Sequence, residues 1–426
     1  MHKTFFEKEL HYIKHWSIPH NSGQVIKVYD FFVEITGLIG SLGDFCFIFH
    51  KEKKIIAEVI KIDRNTLTLS CFEKPIGIPF GASVYLYKEL FFKHPSSYLG
   101  KVINAFGKPI NNEPIVGENV SLKETFFNTE KQKISDFFNT GIKAIDGLCP
   151  VGKGQKIGIF SSAGEGKTCL LTMIAKNSSA DINIISLIGE RGREIQEFTY
   201  LIENSKISNK TIIIASSSEE MFSLKILAAH LSIKLAEFFK NEGKSVLFIM
   251  DSLSRFAQAL QEQYSVINNK MTFNNLSSQL ARFIEKGGNF LQGSITSFYS
   301  ILTSKETYSD PLENIFCSLL DGHIYLNKEY DKGYYPSINI ASSLSRTAQN
   351  LLDSESLKNI QLIKSWILEY LEYKDLINAG VYIPNSNPNL DKAIHKKKDI
   401  INFIQQAITE CYSVKETMSL LKKVIS

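Results

Sequence analysis

The run KIGIFSSAGEGKTCLLTMIAKN, residues 156–177, constrains the fold of this chain more than any other. A short apolar strand leads into a loop, and the loop opens directly onto a helical stretch. That order is the first half of a βαβ unit, so it calls for a parallel α/β sheet around it. The loop follows the G-x-x-x-x-G-K-[ST] phosphate-binding pattern with one departure, Ser161 in place of the first Gly. Gly164, Gly166, Lys167 and Thr168 complete the pattern. In such a loop the backbone N–H groups of Ser162, Ala163, Gly164, Glu165, Gly166, Lys167, Thr168 and Cys169 face a polyanion. Lys167 reaches the outer phosphates, and the Thr168 hydroxyl holds Mg2+. Glu165 is the odd member, a carboxylate inside an anion site. Its N–H is expected to point in and its side chain away. A Gly/Ser turn without a ligand is the competing reading, and the flanking strand and helix argue against it.

The remainder of the chain alternates in the way this loop requires. INIISLI, TIIIAS, SVLFIMD, SITSFYSIL and HIYLN are apolar strands separated by helical stretches. Residues 23–90 differ. GQVIKVYDFFVEITG, FCFIFHKEKKIIAEVIKI, NTLTLSCF and SVYLYKE are short β runs with Gly and turn signals between them, which suggests a small barrel or sandwich. From about residue 350 the periodicity is helical. A length of 426 residues exceeds one hydrophobic core, so several domains are expected. The expected division is 1–22 an amphipathic helix, 23–92 a β-barrel, 93–347 an α/β ATPase domain and 348–426 a helical domain. In the first segment Phe6, Leu10, Ile13 and Ser17 share one helical face. That face suits a partner or a membrane surface, or else this chain's own barrel.

Three further segments add chemistry. Asp251 ends the apolar strand SVLFIMD, where a carboxylate assists Mg2+ binding beside a phosphate loop. Glu190 follows the strand INIISLI at its carboxyl end, placed to orient and polarise an attacking water. Arg191 and Arg193 follow it as candidates for positioning charge, with an Arg191–Glu194 surface pair as the plainer reading. Arg346, in SSLSRTAQN, lies after the last sheet strands. An Arg there can complete a neighbouring subunit's site.

Composition excludes several classes. A net charge of +4 and a pI of about 8.5 are too mild for a nucleic-acid footprint. HKKKD, residues 395–399, reads as a solvated helix face. Six cysteines without C-x-x-C spacing read as packed thiols of a reduced compartment. The first residues, MHKTFFEKELHYIKHW, lack the apolar region of a signal peptide. No apolar run approaches the ~18 residues of a membrane span.

In this order GKGQKIGIF, GERGREIQEF, MDSLSRFAQAL, GSITSFYSIL, SDPLENIFCSLLDGHIYLNKE and SLSRTAQN resemble the export ATPases of flagellar and virulence type III secretion systems, relatives of the catalytic subunit of rotary ATP synthases. The resemblance runs from about residue 23 to the end. It implies an N-terminal β-barrel, a central RecA-like α/β domain and a C-terminal α-helical domain. It also implies a homohexamer that hydrolyses ATP with Mg2+ at subunit interfaces. Carried over, Lys167 and Thr168 bind phosphate and Mg2+, Glu190 is the catalytic carboxylate and Asp251 the strand-end metal residue. Arg346 becomes a finger supplied in trans, and Tyr335 stacks on adenine. The implied partners are a stator-like regulator on the N-terminal helix, a central stalk in the pore, export chaperones and their substrates. The implied location is cytoplasmic, peripherally associated with the inner face of the membrane at the export gate.

Two departures stand out. The family's Gly-Tyr-Pro-Pro pore segment is replaced by QEQYSVINNKMTFNNLSSQLARF, which has neither Pro nor Gly, and its Pro-rich approach to the ATPase domain by EKQKISDFFNTG. The nucleotide residues survive. A flagellar export ATPase is therefore the expected function, with a virulence-type export ATPase and a non-catalytic nucleotide-binding subunit as alternatives. The second is disfavoured because such subunits usually lack the Glu at position 190. A hexameric nucleic-acid translocase is disfavoured by charge and by the lack of an aromatic-basic strand face in residues 23–90.

Overall fold

Alternation in two of its strands gives the first domain its interior. In the computed structural model, which describes residues 22–87, 90–111, 114–121, 130–268, 273–303, 311–327 and 335–425, alternate residues of Phe32–Thr36 and of Lys53–Ile62 turn inward. Val33, Ile35, Ile55, Ala57 and Val59 thereby share one interior with Val25, Ile48 and Leu69. A half-buried, alternating strand fits an antiparallel sheet with one wet face. Six strands, β1 (Ser22–Val28), β2 (Phe32–Thr36), β3 (Phe45–His50), β4 (Lys53–Ile62), β5 (Thr66–Cys71) and β6 (Ser83–Leu86), close in the order β1-β2-β5-β4-β3-β6. Closure leaves no free edge. The short strands β7 (Phe91–Lys93) and β9 (Asn119–Ser121) pair with each other after the barrel.

The second domain is built on continuous apolar runs, the signature of strands covered on both faces. The sheet runs β17 (Ile338–Ser345), β16 (Gly322–Leu326), β10 (Lys156–Ser161), β15 (Gly293–Leu302), β13 (Ser245–Asp251), β11 (Ile182–Glu190), β12 (Thr211–Ser217), β8 (Val102–Ile103), with β14 (Gly288–Phe290) beside β15. All pairings are parallel except β16–β17 and β14–β15. The helices α1 (Lys143–Leu148), α2 (Lys167–Asn177), α3 (Gly192–Glu203), α4 (Phe222–Asn241), α5 (Leu253–Asn268), α6 (Phe273–Ile284) and α7 (Pro311–Leu319) cover the two faces. The barrel rests on α4: Ser223 Oγ donates to the Cys71 carbonyl at 2.7 Å, and Phe31 meets Phe222 edge to face at 6.0 Å.

The remaining helices are α8 (Ala348–Leu351), α9 (Ser354–Glu372), α10 (Lys374–Asn378), α11 (Pro388–Ile404) and α12 (Val414–Ile425). Side-chain caps set the starts of α9 and α11, as Asp353 accepts from Ser356 N at 2.7 Å and Asn387 accepts from Asn389 N and Leu390 N. Ile363, Trp366, Phe403 and Leu421 join Leu171 and Ile174 of α2 in a single core. The helical domain is thus packed on the face that carries the phosphate loop's helix. Among the described residues no helix is long and apolar enough to cross a membrane.

The amphipathic helix expected over residues 1–22 lies outside the described residues except for Ser22, which begins β1, and residues 269–272 of the divergent pore segment lie outside them too. The EKQKISDFFNTG approach is described. It is tied down as an extended edge: Gln132 N donates to Asn289 O at 2.9 Å, and Phe138 N to Val151 O at 2.8 Å. Backbone pairing here replaces the stiffness that Pro gives elsewhere. Just beyond it Asp146 is fully buried and accepts from Thr140 N (3.0 Å), Thr140 Oγ1 (2.7 Å) and Gly141 N (3.0 Å). Burial pushes its carboxyl up to about 7, against the pull of those donors. Asp146→Ala leaves buried N–H groups unpaired and should cost about 2–4 kcal/mol of stability, read as a lower urea midpoint at unchanged m. An unchanged midpoint would show that the turn holds without this clamp.

Candidate active site

The loop after β10 turns sharply because Gly166 sits at φ +84°, in left-handed space that costs Gly little. The turn aims the first N–H groups of α2 at one point beyond the carboxyl ends of the strands. A β-bulge places the second carboxylate. The β11–β12 register shifts between Ile188 and Glu190, at Gly189 with φ +71°. A Cβ on Gly189 would lie 2.9 Å from Arg255 Cβ, so only glycine fits beside α5. The bulge re-aims Glu190 toward the loop.

Three chain segments converge there. Lys167 Nζ lies 2.6 Å from Asp251 Oδ1 and 3.6 Å from Glu190 Oε1. Ser300 Oγ, from the neighbouring strand β15, donates to Asp251 Oδ1 at 2.5 Å. Burial disfavours charge on Lys167, but the Asp251 and Glu190 carboxylates outweigh it and hold the ammonium above its ordinary range. Burial and the Asp251 charge push Glu190 up to about 7, with Lys167 pulling the other way. Glu190 Oε1 is buried without a hydrogen-bond partner. A buried carboxylate oxygen left unsatisfied is costly, and such an orphan marks a place for a water or a ligand atom.

The other expected residues are distributed around this cluster. Thr168 is half-buried in the first turn of α2, beside Lys167. Burial raises the Cys169 thiol above its ordinary range, so it is not a ready thiolate. Glu165 is buried, and its Oε2 accepts from Ser162 N at 2.7 Å, so the side chain folds back onto the start of its own loop. Tyr335 stands over the loop, with its hydroxyl 3.4 Å from Gly166 O. Ala163 and Gly164 are exposed at the tip.

Two arginines lie apart from the cluster. Arg191 is 84% exposed and lies 3.8 Å from Glu194, and Arg193 is 2.8 Å from Glu197. Arg191 makes the surface pair of the plainer reading, and Arg193 pairs one turn along its own helix. Arg346 is exposed just after β17. Its N–H donates to Asp321 O, and its guanidinium to Cys317 O at 3.2 Å. Ser345 pairs with Gly322 at the start of β16, so Arg346 lies at the amino ends of the parallel strands. The phosphate loop lies at their carboxyl ends.

Sequence reasoning missed the residues that brace the site. Ser300 holds Asp251. Ser337 Oγ donates to Glu165 O at 2.7 Å. Gln406 N donates to Tyr335 O at 2.8 Å, tying the Tyr335 segment to the helical domain. Ser300 lies inside the run SITSFYSIL and Ser337 just before β17, but a serine in either place carries no signal of its partner.

Known proteins match this chain over nearly its whole length. Residues 141–345 match the nucleotide-binding domain of the ATP synthase alpha/beta family, and residues 352–423 match the T3SS EscN ATPase C-terminal domain. The flagellum-specific ATP synthase of Borreliella burgdorferi is 35% identical over 435 residues, covering 99% of this chain and 100% of that protein. Among solved structures, the assembled ATPase EscN of the enteropathogenic E. coli type III secretion system superposes with a TM-score of 0.87 at 32% identity, covering 95% of this chain and all of that one. The same ATPase in complex with its central stalk EscO gives 0.85 over the same coverage.

Proposed function

The chain belongs to the family of flagellar and type III secretion ATPases, and from that premise we propose that it hydrolyses ATP in a homohexameric ring that energises protein export through a flagellar apparatus. One observation carries the catalytic part: Lys167 is held between Asp251 and Glu190 at the mouth of the loop, and Glu190 keeps an orphaned buried oxygen. The Borreliella relative, flagellum-specific and matched over its whole length, favours the flagellar system.

Loop N–H groups from Ala163 to Cys169 and the α2 dipole bind the triphosphate, while Ser162 N–H stays on Glu165, and Lys167 moves from the carboxylates onto its outer oxygens. Thr168 and Asp251 would hold Mg2+; their hard oxygen donors and the unsatisfied Glu190 oxygen fit it. When bound, the ion neutralises charge on the β- and γ-phosphates. Glu190 Oε1 accepts a hydrogen bond from the attacking water and orients it. Arg191, next in the chain, turns inward to the γ-phosphate. Tyr335, braced by Gln406, stacks on adenine. Arg346 serves the adjacent subunit, as its place at the opposite end of its own sheet supports.

The solved EscN assembly with its stalk supports a central stalk for this chain too. Residues 1–22 take the stator-like regulator, and the ring meets chaperones, substrates and the export gate as a peripheral protein on the cytoplasmic face. Nucleic acid is not a partner.

The purified protein should hydrolyse ATP with Mg2+ and stop in EDTA, and Lys167→Ala should lower ATP affinity by about tenfold or more through loss of a charge-assisted contact. Hydrolysis undiminished in EDTA would overturn the assignment of Thr168 and Asp251. Purification of the native complex decides the system: flagellar regulators support this reading, and injectisome components replace it with the virulence one.

A further inference from the structure

The carboxylate inside the phosphate loop has no role in the catalysis just described. Glu165 is 7% exposed, so its charge is held inside the loop and not in solvent. Its Oε2 takes the Ser162 N–H at 2.7 Å, and its own carbonyl is pinned by Ser337 Oγ at 2.7 Å. Side chain and backbone are therefore both fixed. The loop's lysine does not neutralise it, because Lys167 Nζ is committed to Asp251 and Glu190. Among the described residues no Lys, Arg or His forms an ion pair with Glu165. A fixed negative charge thus stands beside N–H groups that attract anions. Buried charges are screened little by salt, so its repulsion is felt by whatever the loop holds.

We propose that Glu165 is a specificity-determining residue that sets the loop against metal-free nucleotide and in favour of the Mg2+ complex. The inference rests on the nucleotide-site reading above. Fully ionised ATP carries about four negative charges, and Mg2+ cancels two of them. Repulsion by one fixed charge scales with the charge of the ligand. The free nucleotide is therefore penalised about twice as strongly, in free energy, as the metal complex. The same repulsion loosens any nucleotide that has lost its ion, so the site does not stay blocked by it. The Ser162 hydrogen bond has a separate effect: it closes the start of the loop at the position where Ser161 replaces the template's Gly.

The test measures equilibrium binding of ATP by calorimetry, once in EDTA and once in excess Mg2+, on the full-length protein. Glu165→Gln keeps an acceptor for Ser162 N–H and removes the charge. It should tighten ATP in EDTA by about tenfold and the Mg2+ complex by only about threefold. Glu165→Asp keeps the charge with a shorter reach and should gain nothing in EDTA. Inorganic tripolyphosphate should repeat the pattern, since the effect is on phosphate charge and not on adenine. Equal gains for both ligands, or no gain with Gln, would overturn the proposal, as would a gain with Asp matching that with Gln. If the wild-type protein binds neither form, the nucleotide-site reading itself falls, and this inference with it.

Discussion

Glu190→Gln should lower kcat by about three orders of magnitude while ATP still binds, because a positioned general base contributes 10²–10⁴-fold. The substitution keeps size and hydrogen-bonding reach but removes the charge that polarises the attacking water. It also relieves repulsion with Asp251, so the cluster should bind nucleotide as well as before or better. The pH dependence follows from the same environment. Burial and the neighbouring Asp251 charge hold the Glu190 carboxyl near 7, and Lys167 only partly offsets them. A base must be deprotonated to work. Below about pH 7 a growing fraction of the free enzyme carries the proton, and kcat/KM for ATP should fall about tenfold per pH unit. Above pH 7 the limb flattens. The Gln variant should lose that acid limb altogether, and initial rates between pH 5.5 and 8.5 read both effects. Steady hydrolysis by Glu190→Gln at wild-type rate would remove Glu190 from the chemistry.

The second large effect concerns Arg346. Arg346→Ala should lower kcat of the assembled protein by about three orders of magnitude, the range expected of an arginine finger, and leave the activity of unassembled subunits alone. The geometric reason is plain. Arg346 and the phosphate loop lie at opposite ends of the parallel strands. The six residues of β10 alone separate the two ends by about 20 Å at ~3.3 Å per residue. An arginine side chain spans well under half of that, so its own site is out of reach. Mixing Arg346→Ala with Lys167→Ala subunits supplies the decisive measurement. In mixed rings an intact loop from the first variant faces an intact Arg346 from the second, so activity should return. No recovery on mixing, with mixed rings demonstrated by mass, would exclude action in trans.

Much of this molecule is written in local pattern. The runs SVLFIMD and INIISLI are mostly apolar because the sheet covers both faces of those strands; Asp251 ends the first, and Glu190 follows the second at its carboxyl end. The short β runs and turn signals of residues 23–90 become a closed barrel, which pairs every strand on both sides. The family resemblance agrees with the relatives and solved structures that match almost the whole chain. Partners distant in sequence were not legible. Ser300, Ser337 and Gln406 lie 49, 172 and 71 residues from the residues they brace. A serine or glutamine has no periodicity of its own to announce such a contact. The bulge at Gly189 was equally hidden, since a glycine before a glutamate reads as a strand end until the register of β12 is known.

The sequence by itself determined the kind of chemistry. A strand, a Gly-Lys-Thr loop and a helix in succession create an anion site through backbone N–H groups and a helix dipole, which depend only on local geometry. What the tertiary structure decided is which charges meet there. It brought Asp251 to within 2.6 Å of Lys167 and left Glu190 an unsatisfied oxygen. It turned Glu165 inward onto Ser162, and it carried Arg346 to the far end of the sheet. Those outcomes depend on strand order and register, and register is set by the packing of whole faces across the sheet, which no short stretch of chain contains.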